Sequence, residues 1–105
     1  MSLDNSEKKS LKRIGHHLNP VVIIAQKGLT ENVIGEIDRA LRQHELIKVK
    51  IVSDSKADRK AVSDEICTRL DATCIQSIGH IVLLYKKARQ ADPRLSNISR
   101  HKSSD

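Results

Sequence analysis

Two apolar segments with strand character flank a helix-length stretch, and this arrangement constrains the chain more than any other feature. The first, VVIIA (residues 21–25), is β-branched and continuously apolar. Such a run suits a strand covered on both faces, as in a sheet with helices on either side. The second, LIKVKIV (46–52), alternates. Ile47, Val49 and Ile51 point one way and Lys48 and Lys50 the other, which predicts a strand with one wet face. Between the two, Val33, Ile34, Ile37 and Leu41 recur at the helical period, up to about His44. Thr30 has the character of an N-cap and Glu31 suits the helix dipole. Leu29 and Ile34 have the spacing of a hydrophobic staple. Strand, helix, strand in this order predicts a right-handed crossover.

The flanking segments extend the pattern. In NSEKKSLKRIGHHL (5–18), Leu11, Ile14 and Leu18 share one helical face, and Lys8, Lys9, Lys12 and Arg13 lie mostly off it. Asn5 or Ser6 is the expected cap, and Asn19-Pro20 ends the helix, because a residue before proline disfavours the helical region. After the turn SDSKAD, residues 58–71 predict a third helix with Ala61, Val62, Ile66 and Leu70 inward. TCIQSIGHIVLLYK (73–86) reads as two strands joined tightly near Gly79. The order α-β-α-β-α-β-β predicts one compact α/β domain over residues 1–87, built on a four-stranded mixed sheet. Residues 88–105 are polar and basic, with Pro93 and scattered serines, and are expected to form a flexible tail.

At 105 residues, one domain is expected, with a core that needs neither metal nor disulfide. The formal net charge of +6 suggests a polyanionic partner. That excess sits at the ends: residues 20–85 are formally neutral, residues 1–19 carry +2 and residues 86–105 carry +4. Tyr85 is the single aromatic residue. This counts against nucleic-acid modules that stack bases on aromatic platforms, so any RNA would be read through backbone and shape. There is no N-terminal apolar h-region and no apolar run of transmembrane length. With two cysteines, Cys67 and Cys74, the expectation is a cytoplasmic protein with reduced thiols and no membrane partner.

The loop at residues 25–28 has two readings. A glycine-containing turn before a helix N-terminus offers backbone N–H groups to an anion, and Lys27 adds a positive charge. A plain strand-to-helix connection needs the same glycine, and on local signal alone this second reading fits better. The helix-1 and strand lysines are equally ambiguous between phosphate contacts and solvated faces. His16 and His17 are adjacent and do not share a helical face, and Cys67 and Cys74 fit better as small buried hydrophobes. No metal or cofactor is predicted. A Cys-His pair with His44 or His80 has no feature to bring it together, and Asp64 and Glu65 would point apart on a helix. The residues therefore favour a binding module over an enzyme, with no small-molecule substrate.

The stretches LKRIGHHLNPVVIIAQKGLTENVIGEIDRAL, HELIKVKI and IGHIVLLYK resemble the CRM domain (chloroplast RNA splicing and ribosome maturation) in its stand-alone bacterial YhbY-like form. The resemblance runs in order over roughly residues 8–87. It implies a sheet similar to that of the C-terminal domain of translation initiation factor three, RNA binding, and no catalysis. It further implies ribosome biogenesis, with ribosomal RNA in large-subunit precursors as the partner; a monomer is expected, although an exposed sheet edge would permit pairing. The family's RNA-contacting Gly-x-x-Gly loop maps to Ala25, Gln26, Lys27 and Gly28, with alanine in place of the first glycine. Thr30 follows that loop, Lys12 and Arg13 match the basic first helix, and Lys48 extends the basic surface. The alternative is a protein-interaction adapter that docks on a ribosomal protein or another acidic partner.

Overall fold

A computed structural model describes residues 4–25 and 28–87. Its elements are α1 (Asn5–Gly15), β1 (Pro20–Ile24), α2 (Glu31–His44), β2 (Leu46–Ile51), α3 (Lys56–Leu70), β3 (Thr73–Ile78) and β4 (Ile81–Tyr85). This is the predicted order. The strands form one mixed sheet, β1-β2-β4-β3, in which β1 is parallel to β2 and β4 is antiparallel to both its neighbours. β2 and β3 are therefore parallel, with β4 between them. Both crossovers carry the chain in the same direction along the sheet. Crossovers of one shared hand must then set α2 and α3 on the same face. The core has this arrangement. Ile34, Ile37 and Leu41 of α2 and Ile66 of α3 pack together with Ile24, Ile47, Val49, Val82 and Leu84.

α1 lies on the opposite face and covers only part of it. Leu11 and Ile14 pack on Leu46, Ile75 and Leu83, with Leu18 and Tyr85 at the margin. Gly15 sets how close the helix comes. A Cβ at this position would stand 2.5 Å from Leu83 Cδ2, and Leu83 is itself buried. Glycine here acts through its missing side chain rather than through unusual backbone angles.

Several local expectations need correction. The cap of α1 is Asp4, whose Oδ1 accepts from the Glu7 amide at 2.7 Å, in place of Asn5 or Ser6. The helix ends at Gly15, so Leu18 reaches its cluster from the following turn. β1 is covered on one face, not both: Val22 and Ile24 are buried, whereas Val21 and Ile23 are 51% and 62% exposed on the side where α1 does not reach, and the strand is also a sheet edge. Pro20 suits the first position of an edge strand, where its missing N–H costs no ladder bond. In α3, Ala61 is exposed and Ser63 is buried, with Val62 and Leu70 partly buried beside Ile66. Cys67 is half-buried, but Cys74 is exposed on β3 and is not a core residue. The β3–β4 turn is as tight as expected: Ile78 pairs with Ile81, and Gly79 adopts φ +56° in the short loop between them. Residues 88–105 lie outside the described residues.

Candidate nucleic-acid interface

The loop between β1 and α2 is built by its flanks. β1 ends at Ile24, whose carbonyl accepts from the Val52 amide at 2.9 Å. Ala25 is exposed, and its carbonyl accepts from the Gly28 amide at 2.9 Å, closing a turn. Gln26 and Lys27, the centre of the expected contact, lie outside the described residues. Gly28 has φ +79° with open space around its absent Cβ. Its role is thus conformational: an L-residue pays about 1–2 kcal/mol in the left-handed region. Gly28→Ala should lower stability by about 1 kcal/mol in urea unfolding, with the core packing unchanged. Thr30 caps α2, its Oγ1 accepting from the Val33 amide at 3.2 Å, and its carbonyl takes the Ile34 amide. The Gly28 amide is already committed to the turn. The N–H groups left to an anion at this helix end are therefore those of the first turn, at Glu31 and Asn32.

Glu31 would repel an anion there, but Arg69 engages it. Arg69 Nη2 donates to both Glu31 carboxylate oxygens, at 2.9 and 3.2 Å, from the last turn of α3. The Glu31 hydrogen bond, more than any other contact, pushes the Arg69 guanidinium further above its usual range. The pair is exposed and contributes little to stability. Its effect is local: it offsets part of the Glu31 charge at the α2 N-terminus, with the same guanidinium also 3.7 Å from Glu65. Residue-by-residue reading of the sequence missed Arg69, because the two side chains are 38 residues apart and only the packing of α3 beside α2 joins them.

The other side of the loop is different. A crevice of about 430 Å³ opens at the carboxyl ends of β1 and β2, lined by Ala25, Gly28, Val52, Asp54 and Asp58 among others. Its two carboxylates disfavour phosphate and suit hydrogen-bond donors, such as the exocyclic amino groups of bases.

The remaining basic residues form a second group. Lys12 and Arg13 are exposed in the last turn of α1, where cations also complement the helix dipole. Lys48 points to the α1 side of the sheet and is half-buried, in a groove shared with His16. It precedes Ile51 by three residues, about 10 Å along the strand from the end that carries the loop. Lys50 is exposed, lies on the same face and pairs with Ile23, two residues from Ala25. The alternation of β2 identifies Lys50 as readily as Lys48, and the register places it nearer the loop.

Cys67 lacks the surroundings that activate a thiol. Burial first, then the neighbouring Cys74 and Asp64, push the Cys67 thiol up to about 11. It is protonated at neutral pH and is a poor nucleophile. Among the described residues, no group of three or more His, Cys, Asp or Glu is placed to hold a metal ion, and no helix is long and apolar enough to cross a membrane.

A mixed sheet with two helices on one face and one on the other, carrying a capped helix start behind a glycine turn, defines a small α/β domain. The chain belongs to the CRS1 / YhbY (CRM) domain family, which it matches over residues 3–86. It is 49% identical over 100 residues to the Pseudomonas aeruginosa protein named "Probable RNA-binding protein PA4753", covering 95% of this chain and 96% of that one. A Haemophilus influenzae protein named "RNA-binding protein" is 40% identical over 94 residues, covering 90% and 95%. The solution structure of SAV1595 from Staphylococcus aureus superposes with a TM-score of 0.75 at 27% identity, covering 85% of this chain and 93% of that one. The names of these relatives describe binding, not catalysis.

Proposed function

We propose that this chain is a cytoplasmic RNA-binding protein that acts in ribosome assembly, on ribosomal RNA of large-subunit precursors. RNA binding is carried by one observation: the full-length likeness to proteins named for binding RNA. The ribosomal assignment rests on the resemblance of the sequence to stand-alone bacterial members of the family. Contact is made to the backbone by the loop Ala25, Gln26, Lys27 and Gly28 and by the capped start of α2 at Thr30. Lys12, Arg13 and Lys48 widen the positive surface, and the basic segment 88–105 adds sequence-independent attraction. The protein works as a monomer, without a cofactor or small-molecule substrate.

Sedimentation of cell lysate through sucrose gradients tests this. At low salt the protein should co-migrate with large-subunit precursors. Nuclease or moderate salt should release it to the top of the gradient, since phosphate contacts weaken steeply with salt. A protein that stays at the top even at low salt would sink the ribosomal assignment.

A further inference from the structure

The face of the sheet that carries α1 is half uncovered. α1 packs near Leu46, Ile75 and Leu83, leaving the end that holds Ile23, Lys50, Ile81 and Ile78. These four residues form a continuous row across all four strands: Ile23 pairs with Lys50, Lys50 with Ile81, and Ile81 with Ile78. Val21, Ile23 and Ile78 are three of the four large apolar side chains that stand exposed among the described residues, with Ile78 64% exposed. Beside the row, His16 at the end of α1 and Lys48 on β2 line a groove of about 190 Å³. No carboxylate belongs to this face among the described strand residues.

An aliphatic row bordered by lysines, with no acidic residue on it, selects its occupant. A second copy of this chain would bring the same lysines against each other. Segment 88–105 carries +2 and is repelled in the same way. Single-stranded RNA would satisfy the lysines, but it gains its affinity for sheets from aromatic stacking, and every apolar side chain in this row is a branched aliphatic. We infer that this face docks an acidic amphipathic helix of another protein, its apolar stripe seated on Ile23, Ile81 and Ile78 and its carboxylates on Lys48 and Lys50. The dimensions agree. Four strands span about 14 Å, the length of two to three helical turns, which is one stripe of i, i+4, i+7 anchors. This partner is additional to RNA; its face shares Lys48 with the proposed RNA surface but does not depend on the loop at residues 25–28.

The test uses the purified full chain and synthetic peptides of about a dozen residues. One has leucines at i, i+4 and i+7 with glutamates elsewhere, one replaces the glutamates by lysines, and one scrambles the acidic sequence. A single-stranded RNA oligonucleotide completes the set. Isoleucine methyl NMR reports the site and calorimetry the affinity. The acidic helix should shift the Ile23, Ile78 and Ile81 methyls, and the lysine and scrambled peptides should not. Ile78→Ser and Lys50→Glu should each weaken it about tenfold. Both side chains are exposed, so the fold should survive, as circular dichroism checks. Lys27→Glu should leave peptide binding intact even where it weakens RNA, so loss of the RNA reading and loss of this one are distinguishable. Equal binding of the acidic and scrambled peptides, no binding of either, or stronger shifts of the same methyls by RNA would overturn the proposal. So would self-association that Ile78→Ser abolishes in sedimentation equilibrium.

Discussion

Ile66→Ala should destabilise the protein by about 2–5 kcal/mol, the range for truncating a fully buried branched side chain. Ile66 is fully buried and, with the small Ser63, is one of two buried residues of α3. Val62, Cys67 and Leu70 reach the core only partly, so no large neighbour takes over when Ile66 is cut back. α2 differs, because Ile34, Ile37 and Leu41 are all buried and share its anchorage. Truncation of Ile66 should therefore loosen α3 before the sheet. Hydrogen exchange should show lost protection over Lys56–Leu70 while β2 and β4 stay slow, and a urea titration gives the global value. A loss below about 1 kcal/mol would mean that α3 is held by something other than this side chain. The effect reaches the loop as well, since Arg69 sits on the last turn of α3 and its bond to Glu31 needs the helix docked.

Legibility in the sequence followed the range of the interactions. α2 was readable almost entirely, because its signals are local: the Thr30 cap, the staple spacing of Leu29 and Ile34, and a stripe at helical period. The β3–β4 turn was readable for the same reason, with Gly79 between two apolar runs. β1 was not. An unbroken apolar run does not say whether both faces are covered, and α1 packs on Leu46, Ile75 and Leu83, which leaves Val21 and Ile23 of β1 in the open. Cys74 has apolar character but no depth, because it stands on β3, the other edge of the sheet. The candidate site shows the same division. The turn at Gly28 and the cap at Thr30 are local features and were readable as such. The engagement of Glu31 by Arg69 and the position of Lys50 beside Ile23 depend on helix packing and strand register, which no local window contains.

Reversing charge at Lys12, Arg13 and Lys27 together should have the largest effect on RNA binding. Each is proposed to neutralise about one phosphate, and each lost contact removes about 0.7–0.9 from the slope of log affinity against log salt. Three contacts predict a slope shallower by about 2–3 and an affinity loss of several hundredfold at low salt, shrinking as salt rises. The loss should be nearly the same for every RNA sequence, because backbone contacts position the nucleic acid without reading it. Lys27→Glu alone should lower the slope by about one. The fold should survive, because Leu11, Ile14 and Gly15, the buried residues of α1, are untouched, although acids in its last turn oppose the helix dipole at a cost of about 0.3–1 kcal/mol each. Fluorescence anisotropy with two unrelated RNA oligonucleotides over a salt series measures all of this. An unchanged slope would remove the three cations from the interface, whereas a loss confined to one oligonucleotide would show that the loop reads bases. The crevice carboxylates Asp54 and Asp58 would then be the next residues to change, as charged acceptors that line the same crevice as Ala25 and Gly28 and can choose between bases.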